Sequence, residues 1–373
     1  MDFQLNQEQQ MLKDSARRYL EAQCAFAQRG KDGAAAWGAF SEMGWLGMAL
    51  PEEVGGLGAG VVESALLMEE IGRVLCVEPY WAVAMLTAHT VLASGDAAKA
   101  EQLLAPMIEG GARPVLAHTE AAARGELAHV GTAAVADGAG RWRLSGRKIA
   151  VVGGDLADTL IVSARTTGAD GDQDGISLFV VDPKAPGVSL TPVRLIDNRW
   201  AADIELDAML ATEHVGALGG AYPALLVGHE YGLLGLCAEA LGVMEAALWI
   251  TRDYLKVRQQ FGVALSTFQS LQHRMSEMLI ELELSRGMVH RAMAAMSGTP
   301  RQRAQALSAA KVHIGRSGHF VCGQAIQLHG GIGVTEEYVI GHYFKRITCI
   351  EHALGNSHFH LERLAQFERA DAS

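Results

Sequence analysis

Two short stretches decide the fold: Arg-Gln-Gln-Phe-Gly at residues 258–262 and Gln-Leu-His-Gly-Gly-Ile-Gly at residues 327–333. The segment between them carries apolar residues at intervals of three or four, which is the spacing of amphipathic helices. The same spacing runs from Leu233 to Thr251, before the first stretch. Long helices with short connections predict a helical bundle over the C-terminal part of the chain.

Taken singly, both stretches have ordinary explanations. An Arg at a helix end is more often a cap or a surface ion pair than a ligand-binding residue. A Gly pair after a helix is usually a C-cap. Their significance therefore depends on the rest of the chain.

Toward the N-terminus, residues 114–212 read as short strands. Residues 159–164 and 176–181 are rich in β-branched residues, and a polar, Gly-containing loop separates them. The turn-forming residues 137–140, directly before Arg141 and Trp142, predict a hairpin. Short strands at these intervals predict a small β-domain.

Residues 1–110 are helical in pattern. Asn6 followed by Gln9 resembles a capping box at a helix start. Residues 48–58 contain one Pro and three Gly and predict a loop. The α–β–α order predicts a helical domain at 1–112, a β-domain at 113–215 and a helical bundle at 216–373.

Composition excludes several classes of protein. The chain has 373 residues, 49% of them hydrophobic and 20% charged, so it can bury a large core. With 31 Lys and Arg against 42 Asp and Glu, the net charge of −11 argues against nucleic-acid binding. The five scattered cysteines, the absence of a signal sequence and the lack of an eighteen-residue apolar run predict a cytoplasmic chain without a membrane span.

Common site motifs are missing. There is no GxxxxGK[ST] phosphate loop, no GxGxxG in a βαβ unit and no GxSxG elbow. The densest set of metal-ligand types is His352, His358, His360 and Glu351. Such a cluster arises by chance among fourteen His and many acids, so we expect a solvated or substrate-facing segment and no metal site.

Taken together, the motifs resemble the acyl-CoA dehydrogenase flavoprotein family over essentially the whole chain. The matching stretches lie in the family's order, at residues 44–58, 117–120, 144–148, 258–262 and 327–333, with Glu337-Tyr338 after them. The resemblance implies a mainly α chain with a middle β-domain: an N-terminal helical domain, a small β-barrel or sandwich, and a C-terminal four-helix bundle.

The same resemblance implies FAD, bound between β-domain and bundle and across a subunit interface. Arg258 would pair with the pyrophosphate, whose oxygens suit a guanidinium fork. The residues between Gln327 and Gly331 would reach the FAD of a neighbouring subunit, where the Gly pair permits close approach. The implied FAD-binding residues are Arg258, Gln260, Phe261, Phe268, Gln269, Gln327, Leu328, Gly330 and Gly331. The implied partners are an acyl-CoA substrate, further copies of the chain or a homologous subunit, and an electron-accepting flavoprotein.

The residue at the position of the family's usual catalytic base differs from the family's pattern. In this family a carboxylate removes a proton from the acyl α-carbon, and the common Glu falls on Leu354. The Thr and Gln that follow it in the family become Asn356 and His358. Other members place the base at the position of Gly232. Glu230 and Glu351 are the nearest substitutes, although a surface or capping role competes for each.

The middle domain departs as well. Residues 120–126 lack the family's Ser, and residues 150–152, Ala-Val-Val, replace an aromatic-x-Thr set that lies against the flavin. The chain thus resembles the smaller, catalytic-Glu-lacking subunit of heteromeric bacterial enzymes, such as pimeloyl-CoA or sterol side-chain dehydrogenases. The alternatives are a self-sufficient homo-oligomer that uses Glu230 or Glu351, and a non-catalytic scaffold that keeps the fold.

Overall fold

The N-terminal segment is helical, and its first helix begins where the capping box predicts. The computed structural model describes residues 4–24, 26 and 36–372; the other residues of the predicted terminal domains lie outside this range. The Asn6 side chain accepts from the backbone N–H of Gln9, and the Gln9 side chain accepts from that of Asn6. The helices are α1 (Gln7–Gln23), α2 (Trp37–Glu42), α3 (Val61–Arg73), α4 (Ala88–Ala93) and α5 (Ala97–Ile108), with a π-helical segment at Trp81–Thr87.

The predicted β-domain is present. Its strands are β1 (Pro114–Ala117), β2 (Ala133–Ala136), β3 (Trp142–Val152), β4 (Thr159–Arg165), β5 (Ile176–Val181), β6 (Val188–Arg194), β7 (Trp200–Ala211) and β8 (Glu213–Val215). They form a sheet in the order β6-β7-β3-β2-β4-β5-β8, and β1 pairs with β4 in parallel. The predicted hairpin joins β2 to β3, with Ala136 opposite Trp142.

The C-terminal region is helical, as its spacing predicts. The helices are α6 (Tyr222–Val257), α7 (Gln269–Ala295), α8 (Pro300–His329), α9 (Ile340–His352) and α10 (Ser357–Ala372). A short hairpin of β9 (Gln259–Gln260) and β10 (Val263–Ala264) separates α6 from α7. A second capping box, between Thr299 and Gln302, starts α8. Gly330 ends it at φ +65°.

Helix α6 is long and apolar enough to cross a membrane, with a mean hydropathy of 1.7 in its most apolar window. However, 83% of that window is buried inside the chain. This burial is typical of the central helix of a globular core.

The described residues form two compact units. The first contains α1, α3 and the chain from residue 233 onward, and the second contains α2, α4, α5 and the sheet, up to residue 232. Helix α6 therefore contributes to both. The division into domains at 1–112, 113–215 and 216–373 stays a prediction.

Buried charges tie the helices of the first unit together. Arg346 on α9 binds Glu239 on α6 through two hydrogen bonds of 2.7 and 2.5 Å, with both side chains almost fully buried. Arg286 on α7 binds Glu69 on α3 at 3.0 Å. A buried pair of this kind fixes the relative position of two helices because either charge alone would be strongly unfavourable.

Candidate functional site

The segment after α6 forms a tight hairpin that carries the first of the two stretches. Phe261 and Gly262, at its tip, both have positive φ, +55° and +80°. Two-residue hairpin turns favour this backbone shape, but a bulky residue rarely adopts it. The Phe261 side chain is 91% exposed and meets the ring of Phe268 edge-on, with 6.2 Å between centroids.

One pocket in the first unit brings the two stretches together. It has a volume of about 430 Å³ and lies between the end of α6, the start of α7 and the end of α8. Six of the residues predicted for FAD line it: Arg258, Gln260, Gln327, Leu328, Gly330 and Gly331. The other three do not line the pocket: Phe261 lies at the hairpin tip, and Phe268 and Gln269 lie at the start of α7.

The pocket also contains residues that the sequence did not single out: Tyr254, Leu265, Leu271, Arg274 and His329. Tyr254 lies four positions before Arg258, so helical spacing could have placed both on one face. His329 lies inside the second stretch, where it had no assigned role. Arg274 carries no comparable signal, because only the packing of α7 beside α8 brings it here.

Two of the residues that line the pocket are aromatic, Tyr254 and His329, and the ring of Tyr338 packs beside them. The rings of Tyr254 and His329 are stacked, with 4.3 Å between centroids. His329 Nδ1 lies 2.7 Å from the carbonyl of Ala325, so the ring donates there and Nε2 accepts from the hydroxyl of Tyr338 at 3.3 Å. Burial lowers the pKa of His329, which keeps the ring neutral and this pattern intact.

The pocket is electropositive. No described residue hydrogen-bonds to or pairs with the guanidinium of Arg258, which is exposed. Among the residues that the structure describes, Arg274 binds only a neutral partner, the Gln324 amide, at 3.2 Å. Two guanidinium groups without a carboxylate partner form a local site for an anion in a chain of net charge −11.

The two glycines at the end of α8 give the site a second feature, an open backbone. Apart from its immediate chain neighbours, no described residue would lie within 4 Å of a Cβ built at Gly331. The internal packing of the chain therefore does not require glycine here, whereas Gly330 is required by its positive φ of +65°. The backbone at this end of α8 is open to close approach by another molecule.

The turn between α9 and α10 carries Leu354, where the sequence predicts the position of the usual base. Leu354 has a φ of +55°, in the left-handed region. Lys311, fully buried on α8, donates to the carbonyls of Glu351, Ala353 and Gly355 at 3.1, 2.7 and 2.5 Å. His360 reaches the Leu354 carbonyl at 3.0 Å through Nε2. The turn is therefore rigidly held, but its side chain at 354 cannot accept a proton.

The two substitute carboxylates have different surroundings. Glu351 accepts from the backbone N–H of Ser357 at 2.7 Å and from its hydroxyl at 3.0 Å, so it caps α10, as the capping interpretation expects. Glu230 is only 2% exposed, so a surface role is wrong for this residue. It belongs to the second unit, whereas Glu351 belongs to the first.

Residues 150–152, which the sequence predicts to replace an aromatic-x-Thr set, lie at an irregularity of the sheet in the second unit. The pairing of β3 with β7 shifts register between Lys148 and Val151, which forms a bulge. Ala150, in the bulge, is exposed at φ +48°, and its N–H binds Asp203 at 2.9 Å. Bulges turn a side chain out of the regular strand pattern and are common beside active sites.

Lys148, which lies on β3 just before the bulge, is fully buried. It donates to Glu120 at 2.7 Å and to the hydroxyl of Ser163 at 3.0 Å. Glu120 also accepts from the backbone and hydroxyl of Thr132. Burial opposes the charge of Glu120, but Lys148 and these hydrogen bonds overcome it and lower the pKa of the carboxyl to about 2.

The clustered His residues do not form a metal site within the described part of the chain. No group of three or more His, Cys, Asp or Glu side chains there could hold a metal ion. His360 is buried between the Ser308 hydroxyl and the Leu354 carbonyl, whereas His352 and His358 are exposed.

Comparison with known proteins covers both units. Residues 6–111, 115–209 and 230–368 match the N-terminal, middle and C-terminal domains of acyl-CoA dehydrogenases. The 3-sulfinopropanoyl-CoA desulfinase of Paraburkholderia xenovorans is 32% identical over 351 residues, which are 89% of this chain and 88% of that protein.

Solved structures of acyl-CoA dehydrogenases are also similar to this chain. A variant of the Tcur3481–Tcur3483 steroid acyl-CoA dehydrogenase has a TM-score of 0.86 and 33% identity, covering 98% of this chain and 99% of that one. The ChsE4–ChsE5 complex from Mycobacterium tuberculosis has a TM-score of 0.86 and 25% identity, covering 98% of both chains. With its helical and β regions, its two motif stretches and these matches in agreement, the chain belongs to the acyl-CoA dehydrogenase family.

Proposed function

We propose that this chain is the FAD-site-completing subunit of a heteromeric acyl-CoA dehydrogenase. The observation that carries the proposal is a contrast within one unit. The anion-binding pocket is intact, with Arg258 and Arg274 available, while the turn that usually carries the base presents Leu354. The chain is thus equipped to hold the cofactor but not to remove the substrate proton at the usual place.

The pocket residues fit FAD. Members of the family are FAD-binding flavoproteins and oxidoreductases that act on CH–CH groups. Arg258 and Arg274 suit the two charges of a pyrophosphate, and the amides of Gln260 and Gln327 offer both donors and acceptors. When bound, FAD supplies hydride acceptance from the acyl β-carbon.

Both stretches line the same pocket, which argues for one cofactor rather than two. Arg258 and Gln327 belong to a single concave surface. We therefore propose that 258–262 and 327–331 serve the same FAD molecule, whose flavin end lies in the partner subunit. Arg258 would hold the pyrophosphate, and the open backbone at Gly331 would lie against the cofactor.

Exposed apolar side chains on the first unit support a partner subunit. Phe261 and Val263 on the hairpin, and Ile332 and Val334 after α8, are exposed. Leu279, Ile280 and Leu284 are exposed on α7. Apolar side chains in such number on one unit are typical of an interface between subunits. The similar ChsE4–ChsE5 structure is a complex of two proteins.

We propose further that the substrate is an acyl-CoA thioester, that the electron acceptor is a flavoprotein, and that the complex acts in the cytoplasm. The partner supplies the carboxylate that takes the α-proton. In this chain, Lys311 and His360 hold the turn at 353–355 in shape without taking part in proton transfer.

The test is to produce the chain alone and together with a homologous acyl-CoA dehydrogenase chain from the same source. We expect the chain alone to bind little FAD, and the co-purified complex to carry FAD that acyl-CoA bleaches. Arg258→Gln should reduce the flavin content of the complex. The exposed Arg252, on the same helix and paired with Asp253, gives the matched control Arg252→Gln.

Other outcomes of this test would favour the self-sufficient homo-oligomer or the scaffold. Full flavin content and bleaching by acyl-CoA in the chain alone would contradict the proposal. Glu230→Gln and Glu351→Gln would then identify the base, through a loss of bleaching by several orders of magnitude. A chain that stays colourless with every partner would favour the scaffold.

A further inference from the structure

A second polar site lies in the second unit and involves none of the residues discussed so far. It centres on Arg113, which precedes β1. The Arg113 guanidinium carbon lies 5.2 Å from the centroid of the Trp37 ring, on α2. Asp158 fixes the Arg113 backbone on both sides, accepting from its N–H at 2.9 Å and donating to its carbonyl at 3.2 Å.

Two carboxyl groups face the same guanidinium. The field of Arg113 acts on both Glu78 and Asp155. Glu78 accepts from the backbone N–H of Ala36, next to Trp37, at 3.1 Å through one oxygen. The turn that carries Asp155 packs on the residue after Glu78, because a Cβ at Gly153 would lie 3.0 Å from Pro79. Four side chains from separate parts of the chain thus converge.

Each of these side chains has a buried polar atom without a hydrogen-bond partner among the described residues. The atoms are Trp37 Nε1, Arg113 Nε, Glu78 Oε2 and Asp155 Oδ1. Trp37 is 1% exposed and Glu78 is 4% exposed, so bulk water does not reach them. Buried polar groups are nearly always hydrogen-bonded, and four unsatisfied atoms in one cluster indicate a missing common partner.

The chemistry of the four groups indicates which ligand could satisfy them. The Trp and Arg nitrogens can only donate, so the partner must accept hydrogen bonds. The two carboxyls are adaptable, because a carboxyl can accept when ionised and donate when protonated. Burial raises the pKa of both Glu78 and Asp155, which favours the donating form.

We propose that Trp37, Glu78, Arg113 and Asp155 form a binding site for a small carboxylate. Its oxygens accept from Arg113 Nε and Trp37 Nε1, and Glu78 shares a proton with it, as paired carboxyl groups do. A phosphate dianion fits less well, because two carboxyl groups would face its double charge. The carboxylate comes either from a free short-chain acid or from the end of an acyl chain bound as a CoA thioester.

Titration of the whole chain with sodium acetate, followed by calorimetry at constant ionic strength near neutral pH, tests the proposal. We expect saturable binding to the wild type. Arg113→Gln should weaken it by about tenfold or more, since it removes a charge-assisted hydrogen bond. Trp37→Phe, which deletes only the indole N–H and keeps an aromatic ring, should weaken it by roughly threefold to tenfold.

Glu78→Gln distinguishes an anion site from a cation site. An amide can replace the protonated acid, so acetate binding should persist in this variant. Arg147→Gln is the matched control, because Arg147 is an exposed Arg of the same unit paired with Asp203. Methylammonium chloride is the opposite probe and should not bind.

Three outcomes would overturn the carboxylate site. They are a wild type without saturable acetate binding, variants at 37 and 113 that bind as the wild type does, or methylammonium binding that Glu78→Gln abolishes.

Competition experiments then distinguish the two sources of the carboxylate, a free acid and the end of an acyl chain. Displacement of acetate by succinyl-CoA but not by butyryl-CoA assigns the site to the end of an acyl chain. Displacement by neither assigns it to a free acid. FAD content plays no part in these measurements, so they remain decisive even if the proposed function is wrong.

Discussion

The ammonium group of Lys311 lies 2.5 Å from the carbonyl oxygen of Gly355, at the centre of the turn between α9 and α10. With the carbonyls of Glu351 and Ala353 it completes three hydrogen bonds, all from one buried side chain. The turn thus keeps a defined shape around Leu354, the residue predicted to stand at the position of the usual base.

Lys311→Met should therefore destabilise the first unit strongly. An unsatisfied buried carbonyl costs about 1–3 kcal/mol, and three carbonyls lose their donor. We expect the free energy of unfolding to fall by roughly 3 kcal/mol in urea denaturation. The control is Lys345→Met, since Lys345 on α9 pairs with the exposed Glu336. It should change stability by less than about 1 kcal/mol. Equal losses for the two variants would contradict the role of Lys311.

Glu120 should control part of the acid sensitivity of the protein. Its pKa is about 2 in the folded state, against an ordinary value of 4.5. The folded state thus binds fewer protons than the unfolded state between these values. The stabilisation is complete above pH 4.5 and is lost as the pH falls toward 2. Urea midpoints measured from neutral pH downward should fall less steeply for Glu120→Gln than for the wild type, and parallel curves would contradict this.

Arg258→Gln should weaken FAD binding to the complex by roughly 10- to 100-fold, which is the effect of removing a hydrogen bond to a charged group. Arg274→Gln should act in the same direction, because the same pocket contains both side chains. Flavin fluorescence on dilution of the complex measures the affinity. An unchanged affinity in both variants would exclude this pocket as the pyrophosphate site.

Gly331→Ala should separate cofactor binding from folding. A methyl group at this position meets no atom of the chain, so urea denaturation should show the stability of the wild type to within about 0.5 kcal/mol. FAD content should nevertheless fall if the cofactor lies against this face as proposed, because the methyl group would occupy it. Gly287 on α7 has equally open surroundings, and Gly287→Ala should leave FAD content unchanged.

Glu351→Gln should affect stability but not chemistry. Loss of a side-chain cap costs about 1 kcal/mol, and the carboxylate of Glu351 caps α10 through Ser357. We expect a small fall in the urea midpoint and normal bleaching of the complex by acyl-CoA. A loss of bleaching without a loss of stability would instead identify Glu351 as a base.

Much of the fold could be predicted because its signals are local. The capping box at Asn6, the hairpin before Trp142 and the helical spacing of 233–251 each depend on a few neighbouring residues, and the structure confirms all three. The family motifs also led to Arg258 and Gln327, because they lie in recognisable stretches.

The rest depends on tertiary contacts that one sequence does not encode locally. Arg274 reaches the pocket only because α7 packs beside α8. In the sequence, Lys311 is one more polar residue of α8, because its contact with the turn at 353–355 exists only in the folded chain. The sequence also left Glu230 as a possible surface or capping carboxylate, whereas the structure buries it. The cluster around Arg113 has no motif at all.

The exposed ring of Phe261 has a practical consequence for anyone handling the isolated chain. An aromatic side chain of this size loses about 2 kcal/mol by remaining in water, and the hairpin tip presents it without cover. Salts such as ammonium sulfate strengthen this tendency to associate, whereas low concentrations of urea weaken it. We expect the chain purified alone to precipitate at high concentration through hairpin-to-hairpin contacts, with its core still folded. Its shelf life would then be a property of one surface loop.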